Sequence, residues 1–103
     1  MKNKILSIFL LVSLPVSAEI QYDVKKESHR NDVSCIAAFS IARDRAWENG
    51  DNLVLHKYTD FSNQFFLKYD RIPSLHIDAR KILLKNARLV DSEIARCTEL
   101  TRK

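Results

Sequence analysis

Cys35 and Cys97 are the two cysteines of this chain, and they lie 62 positions apart. Their spacing differs from the Cys-x-x-Cys motif of dithiol redox catalysts, and both residues fall on apolar helical stripes, which disfavours a free thiol nucleophile. In an oxidising compartment, two such cysteines form a disulfide by default. Closing a loop of this size removes unfolded-state entropy worth roughly 4 kcal/mol, comparable to the net stability of a small domain. We therefore predict a structural Cys35–Cys97 disulfide.

No other set of polar residues indicates a reaction. His56 and Asp60 are four positions apart and could hold a metal on one helical face, but the local sequence supplies no third ligand. Serine, histidine and aspartate occur without the local signature of a nucleophile elbow. We therefore expect a protein that is not an enzyme, with no catalytic residue, bound metal or cofactor.

A group of aromatic residues recurs at helical spacing in the middle of the chain: Tyr58, Phe61, Phe65, Phe66 and Tyr69. Such a group could form a ligand-binding platform. Helical periodicity of this kind favours core packing instead, because it places the rings on one face of an amphipathic helix.

The first eighteen residues have the pattern of a cleaved secretory signal peptide. Lys2 and Lys4 precede an apolar run over residues 5–14, and small residues up to Ala18 form a cleavage site. The run is too short for a membrane-spanning helix, and no later segment is long and apolar enough for one. The mature chain, starting at Glu19, is predicted to be periplasmic or secreted. Losing both leader lysines lowers the formal net charge from +4 to +2, so we expect no nucleic-acid partner.

Helical periodicity and a single glycine predict an all-α fold for the mature chain. We expect a flexible N-terminal arm over residues 19–30 and one helical domain over residues 31–103. The second helix should cover residues 53–71, or begin at Thr59, and end before Pro73 because the residue preceding a proline is pushed out of the α region. The first helix should end before Gly50, which suits a left-handed C′ position. Three residues could cap its start: Ser28, Asn31 or Asp32.

The predicted disulfide constrains the number of helices. In a straight three-helix bundle, Cys35 and Cys97 lie at opposite ends, roughly 25–30 Å apart, whereas a disulfide requires Cα atoms within about 7 Å. An additional reversal at residues 86–92, or less favourably near Thr59, would bring them to the same end. The unbroken apolar phase of residues 75–100 argues for one long helix, although Asp91 or Ser92 could cap a separate one. We predict a small antiparallel bundle of three to four helices and favour four.

Surplus apolar residues indicate a binding function. The stripe Cys35–Phe39–Ala42–Ala46 should face the core, so the opposite side of the first helix is either covered by another helix or free for a partner. Clustered exposed apolar residues mark a protein partner or a homodimer seam, whereas scattered ones and a solvated basic face are ordinary. The candidate partner-binding residues are Val33, Ala37, Ile41, Ile77, Lys81, Leu84, Lys85 and Arg88.

The leader, the size and the two cysteine segments (Ser34-Cys35-Ile36-Ala37-Ala38-Phe39 and Ala95-Arg96-Cys97) resemble those of small exported helical proteins with one disulfide. Acid-stress periplasmic chaperones and immunity proteins that neutralise secreted amidases are two such groups. The resemblance carries over no functional residue. Our first hypothesis is an exported protein that binds another protein, as an immunity-like inhibitor or an envelope adaptor. The alternative is a periplasmic stress chaperone or an envelope-surface binder that uses exposed apolar and basic residues.

Overall fold

The computed structural model describes residues 20–70 and 75–102, with only the backbone described at Leu75. The prediction of a small all-α bundle with a Cys35–Cys97 disulfide is confirmed. The described residues contain these helices: α1 (Glu27–Glu48), α2 (Asn52–Phe66), α3 (Leu75–Leu84) and α4 (Ala87–Leu100).

Two predictions lie outside the described residues. One is the signal peptide over residues 1–18 with cleavage after Ala18, and the other is the break at residues 72–74, although the helix predicted to reach it ends earlier, as described below. Among the helices that the structure describes, none has both the length and the apolar character needed to cross a membrane.

The helix α1 is central, because each of the other three helices packs against it. The helix α2 contacts the side that carries Phe39. The helices α3 and α4 cover the side that carries Ala37 and Ile41. The predicted core stripe of α1 is buried, as expected: Cys35, Phe39, Ala42 and Ala46.

Helix α1 begins earlier than predicted, at Glu27. The residue before it, Lys26, provides no side-chain hydrogen bond as an N-cap, so the predicted caps are wrong. Tertiary contacts explain the additional turn, because His29 within it is only 7% exposed. The acidic Glu27 also suits the positive end of the helix dipole.

Gly50 ends α1 as predicted. Its φ angle of 70° lies in the left-handed region, and its N–H donates to the carbonyl of Trp47. The N–H of Asp51 donates to the carbonyl of Ala46, which completes a Schellman motif. The Asp51 side chain then caps α2 by accepting from the N–H of Val54 at 3.1 Å.

Helix α2 ends at Phe66, earlier than predicted, because the following residues pair with a distant segment. The N–H of Ile20 donates to the carbonyl of Lys68 at 2.9 Å, and the N–H of Asp70 donates to the carbonyl of Ile20 at 2.8 Å. The apolar periodicity did not indicate this early helix end, because Tyr69 keeps the helical spacing and is buried although it lies beyond the helix. The alternative of a helix starting near residue 59 is wrong, because α2 is continuous.

The chain reverses between α3 and α4, as the favoured four-helix prediction requires. The Asn86 side chain caps α4 by accepting from the N–H of Arg88 at 3.2 Å, so the predicted caps at Asp91 and Ser92 are wrong. The ion pair Arg45–Asp91 and the Cys35–Cys97 bond show that α4 runs antiparallel to α1. The Cα atoms of Cys35 and Cys97 are 5.5 Å apart.

The break at Asn86 changes which apolar side chains face the core. Leu83 and Val90 are buried. Their neighbours Ile82 and Leu89 are 64% and 47% exposed, because the apolar phase of residues 75–100 does not continue through the turn. The break therefore leaves large aliphatic side chains on the surface.

Candidate binding surfaces

Helices α3 and α4 cover the second side of α1. Val33, Ala37 and Ile41 are 6%, 0% and 3% exposed. Ala37 and Ile41 pack against Leu83 and Val90, and Val33 belongs to the neighbouring core cluster. The fold itself therefore covers Ala37 and Ile41, which is the first of the two alternatives predicted for this side of α1, so neither is accessible to a partner. Val33 is nearly buried but lines the groove described below.

The remaining predicted partner residues form a surface that we name the basic corner: Ile77, Lys81, Leu84, Lys85 and Arg88. All five are exposed. Spacings of four and three residues place Ile77, Lys81 and Leu84 on one face of α3, and the other two continue across the turn into α4. The structure thus leaves the second half of the predicted site exposed along α3, the turn after it and the start of α4.

Residues 20–26 fall within the predicted flexible arm, but they are held against α1 and α2. In addition to the backbone pairing of Ile20, the N–H of Asp23 donates to Nδ1 of His29 at 2.8 Å. The Arg30 guanidinium donates to the carbonyl of Val24, also at 2.8 Å. Hydrogen bonds at three positions therefore fix the path of this segment.

Aromatic packing adds to these hydrogen bonds. The ring of His29 lies 5.7 Å from that of Tyr22 and 5.0 Å from that of Tyr69, measured between centroids. The Tyr69 hydroxyl donates to Asp32. Burial, together with this hydrogen bond and the charge of Asp32, raises the pKa of the Tyr69 phenol well above its ordinary value. This arrangement joins the N-terminal segment to α1 and to the residues that follow α2.

An apolar groove lies between the N-terminal segment, α1 and α3, with a volume of about 470 Å³. Val24 on one wall and Ile82 on another are 61% and 64% exposed. Arg30 and Asp78 contribute charged groups to the lining. The other lining residues are Tyr22, Val33, Ser34, Ala79 and Leu83.

A polar cluster borders the disulfide. Arg96 forms a 2.6 Å ion pair with Glu93, which also accepts from the Ser34 hydroxyl. Hydrogen bonding to Arg96, and secondarily to Ser34, lowers the pKa of the Glu93 carboxyl despite its partial burial. The Nη2 atom of Arg96 lies 3.6 Å from Sγ of Cys35 and 3.7 Å from Sγ of Cys97. The polar network thus reinforces the covalent link between α1 and α4.

Among the described residues, no third ligand atom lies close to both His56 and Asp60. His56 and Asp60 are both exposed. The group of ligand atoms that lies close together consists of Cys35, Cys97 and Glu93, and the two cysteines are bonded to each other. His76 lines an open recess of about 220 Å³, and none of its described lining residues is a carboxylate.

No protein-family model matches this chain, and neither a curated protein nor a solved structure shows significant similarity to it.

The groove was not predicted from the sequence, although the sequence contains a pattern that indicates one of its walls. Ile20, Tyr22 and Val24 alternate with polar residues, and this period of two is typical of an extended segment with one side packed. No sequence pattern of this kind predicts the exposure of Ile82, because that exposure depends on where α3 ends.

Proposed function

We propose that this chain is an exported helical protein that acts by binding a partner protein through the apolar groove. The partner inserts a few large apolar side chains, as an amphipathic helix or a loop does when it enters a hydrophobic groove. An immunity-like inhibitor or an envelope adaptor would use such a site. A homodimer is the less favoured alternative, since the groove is concave and a second copy must offer a complementary ridge.

The observation that carries this proposal is the pairing of exposed aliphatic side chains on two separately held walls. Val24 belongs to a segment fixed by hydrogen bonds from Asp23 and Arg30, and Ile82 belongs to α3. A preformed site avoids much of the ordering cost of association, so its apolar surface contributes more fully to affinity. Tyr22 in the lining also suits a protein interface, where aromatic residues are enriched.

Affinity capture with matched variants tests the groove. The processed protein, used as bait on extracts of its own envelope, should retain a stoichiometric partner, and Ile82→Arg should lose it because the charge enters the apolar groove. Leu53→Arg is the control, because Leu53 is 85% exposed on α2 and does not line the groove. Retention of the partner by both variants would contradict the proposal. Capture of many unrelated proteins, with protection of clients at low pH, would favour the chaperone alternative.

Export is tested separately by mass spectrometry of the protein recovered from the envelope of an expressing cell. We expect a product that starts at Glu19, because cleavage is predicted after Ala18. A product that retains residues 1–18 would contradict this part of the proposal and leave the groove experiment intact.

A further inference from the structure

We propose that the basic corner docks on an anionic phospholipid membrane surface. This inference goes beyond the proposed function, because it uses a different face of α3 from the groove. Asp78 and Ile82 line the groove, whereas Ile77, Lys81 and Leu84 share the adjacent face. The protein could therefore lie on a membrane while its groove remains open to a partner.

The charges of the corner support an anionic surface. Lys81, Lys85 and Arg88 are all exposed, and none of them forms an ion pair with another described residue. The nearby Arg80 is different, because its guanidinium forms a 2.7 Å ion pair with Asp44 of α1. Three cations within eight positions thus remain available to lipid phosphates, and each contributes to attraction near an anionic membrane.

The basic corner also presents exposed apolar side chains. Ile77 and Leu84 are 43% and 54% exposed on the same face as Lys81. Aliphatic side chains flanked by lysine and arginine are typical of helices that lie in the membrane interface, where lysine stems bend toward the phosphates. Insertion of these two side chains would bury apolar surface that the fold leaves in water.

The composition of the corner favours a lipid over a protein partner. Lysine is depleted in the centres of protein interfaces, whereas aromatic residues are enriched there. The corner has two lysines and no aromatic residue, while the groove includes Tyr22 and no lysine. The two surfaces of α3 therefore match different partners.

Vesicle sedimentation of the processed protein tests the inference. We expect weak binding to phosphatidylcholine vesicles and strong binding to vesicles in which about one lipid in three is phosphatidylglycerol, with a decrease at high salt. The variant Lys81→Gln/Lys85→Gln should lower the partition coefficient roughly 25-fold, because each charge contributes about fivefold. Leu84→Ser should also lower the partition coefficient, but several-fold less than the double lysine variant does, since only one aliphatic side chain is lost.

The matched control is Lys25→Gln/Lys57→Gln, which removes the same net charge from exposed positions elsewhere. It should retain most of the vesicle binding. Equal losses in the two double variants would overturn the inference, because net charge alone would then explain the binding. Equal binding to both vesicle types, or binding to a soluble polyanion such as heparin without any binding to vesicles, would also overturn it. Thermal unfolding of each variant verifies that it is folded.

Discussion

The two halves of the bundle are packed in different ways. Between α1 and α2, the ring of Phe39 lies within 5.9 Å of three aromatic rings, those of Tyr58, Phe61 and Phe65. Between α1 and the pair α3–α4, two alanines and Ile41 of α1 meet aliphatic side chains such as Leu83 and Val90, with no aromatic ring in the cluster. Aromatic side chains bury more apolar surface each, so the first half gains more from packing.

The second half compensates with covalent and polar links. The disulfide joins α4 to α1, and Arg80 links α3 to Asp44 and Ser40. Helix α3, the shortest of the described helices, contributes residues to both candidate binding surfaces. We propose that the aromatic half mainly stabilises the fold, whereas the half with less apolar packing contributes α3 to both candidate binding surfaces. Surfaces of this kind are commonly drawn from the less stable part of a protein.

The largest effect is expected from loss of the disulfide. The double variant Cys35→Ala/Cys97→Ala should lose roughly 4 kcal/mol of unfolding free energy in urea titrations. Amide hydrogen exchange should accelerate more in α4 than in α2, because α2 is held by aromatic packing. A uniform acceleration across both helices would contradict the proposed difference between the halves.

Core truncations on the two sides of α1 compare the packing directly. Phe39→Ala should cost about 3 to 4 kcal/mol, and Val90→Ala should cost about 2 kcal/mol, because the larger side chain leaves the larger cavity. Both side chains are almost completely buried, at 0% and 1% exposed, so the comparison is matched for burial. Equal costs in urea unfolding would show that the two halves are packed equally well.

The pH dependence of stability should separate the halves, since Glu93 in one half has a lowered pKa and Tyr69 in the other has a raised pKa. The pKa of Glu93 lies below its ordinary value of 4.5, mainly because Arg96 hydrogen bonds to it. The unfolded state therefore binds a proton first as the pH falls, so this contribution is complete above pH 4.5 and is lost below it. The pKa of Tyr69 is raised by burial above its ordinary value of 10.0. Its contribution is complete below pH 10 and is lost as the pH rises further.

Urea unfolding across the pH range, with two variants, tests these signs. Glu93→Gln should flatten the acid side of the stability profile and leave the alkaline side unchanged. Tyr69→Phe should do the reverse. If Glu93→Gln left the acid side as steep as in the wild type, the network beside the disulfide would contribute no pH-dependent stability.

A smaller effect is expected for the N-terminal segment. His29→Phe keeps a ring between Tyr22 and Tyr69 but removes the acceptor for the N–H of Asp23. The cost should be about 1 kcal/mol, the usual net value of one hydrogen bond. Amide exchange at Asp23 should accelerate, and an unchanged rate there would show that the segment is held without this bond.

Features governed by local rules could be predicted from the sequence. The left-handed Gly50, the reversal near Asn86 and the disulfide each follow from short-range chemistry or from the reach of the chain. The disulfide is incompatible with a straight three-helix bundle and therefore requires the additional turn.

Features that depend on long-range contacts could not be predicted in this way. The early start of α1 and the early end of α2 both follow from the packing of residues 20–26. No local pattern in the sequences of those two helices predicts this packing. The burial of Val33, Ala37 and Ile41 could not be predicted without the positions of the other helices that pack on α1. The exposure of Ile82 follows from the break after α3, which shifts the apolar phase.

The most direct test of the central claim is the affinity of a captured partner for variants on the two walls of the groove. Val24→Ser and Ile82→Ser should each weaken binding roughly tenfold, the effect of losing about 1.4 kcal/mol of apolar contact. Leu53→Ser, at a still more exposed position, should leave the dissociation constant within about twofold. An unchanged affinity in both groove variants, or an equal loss in Leu53→Ser, would contradict the proposed role of the groove.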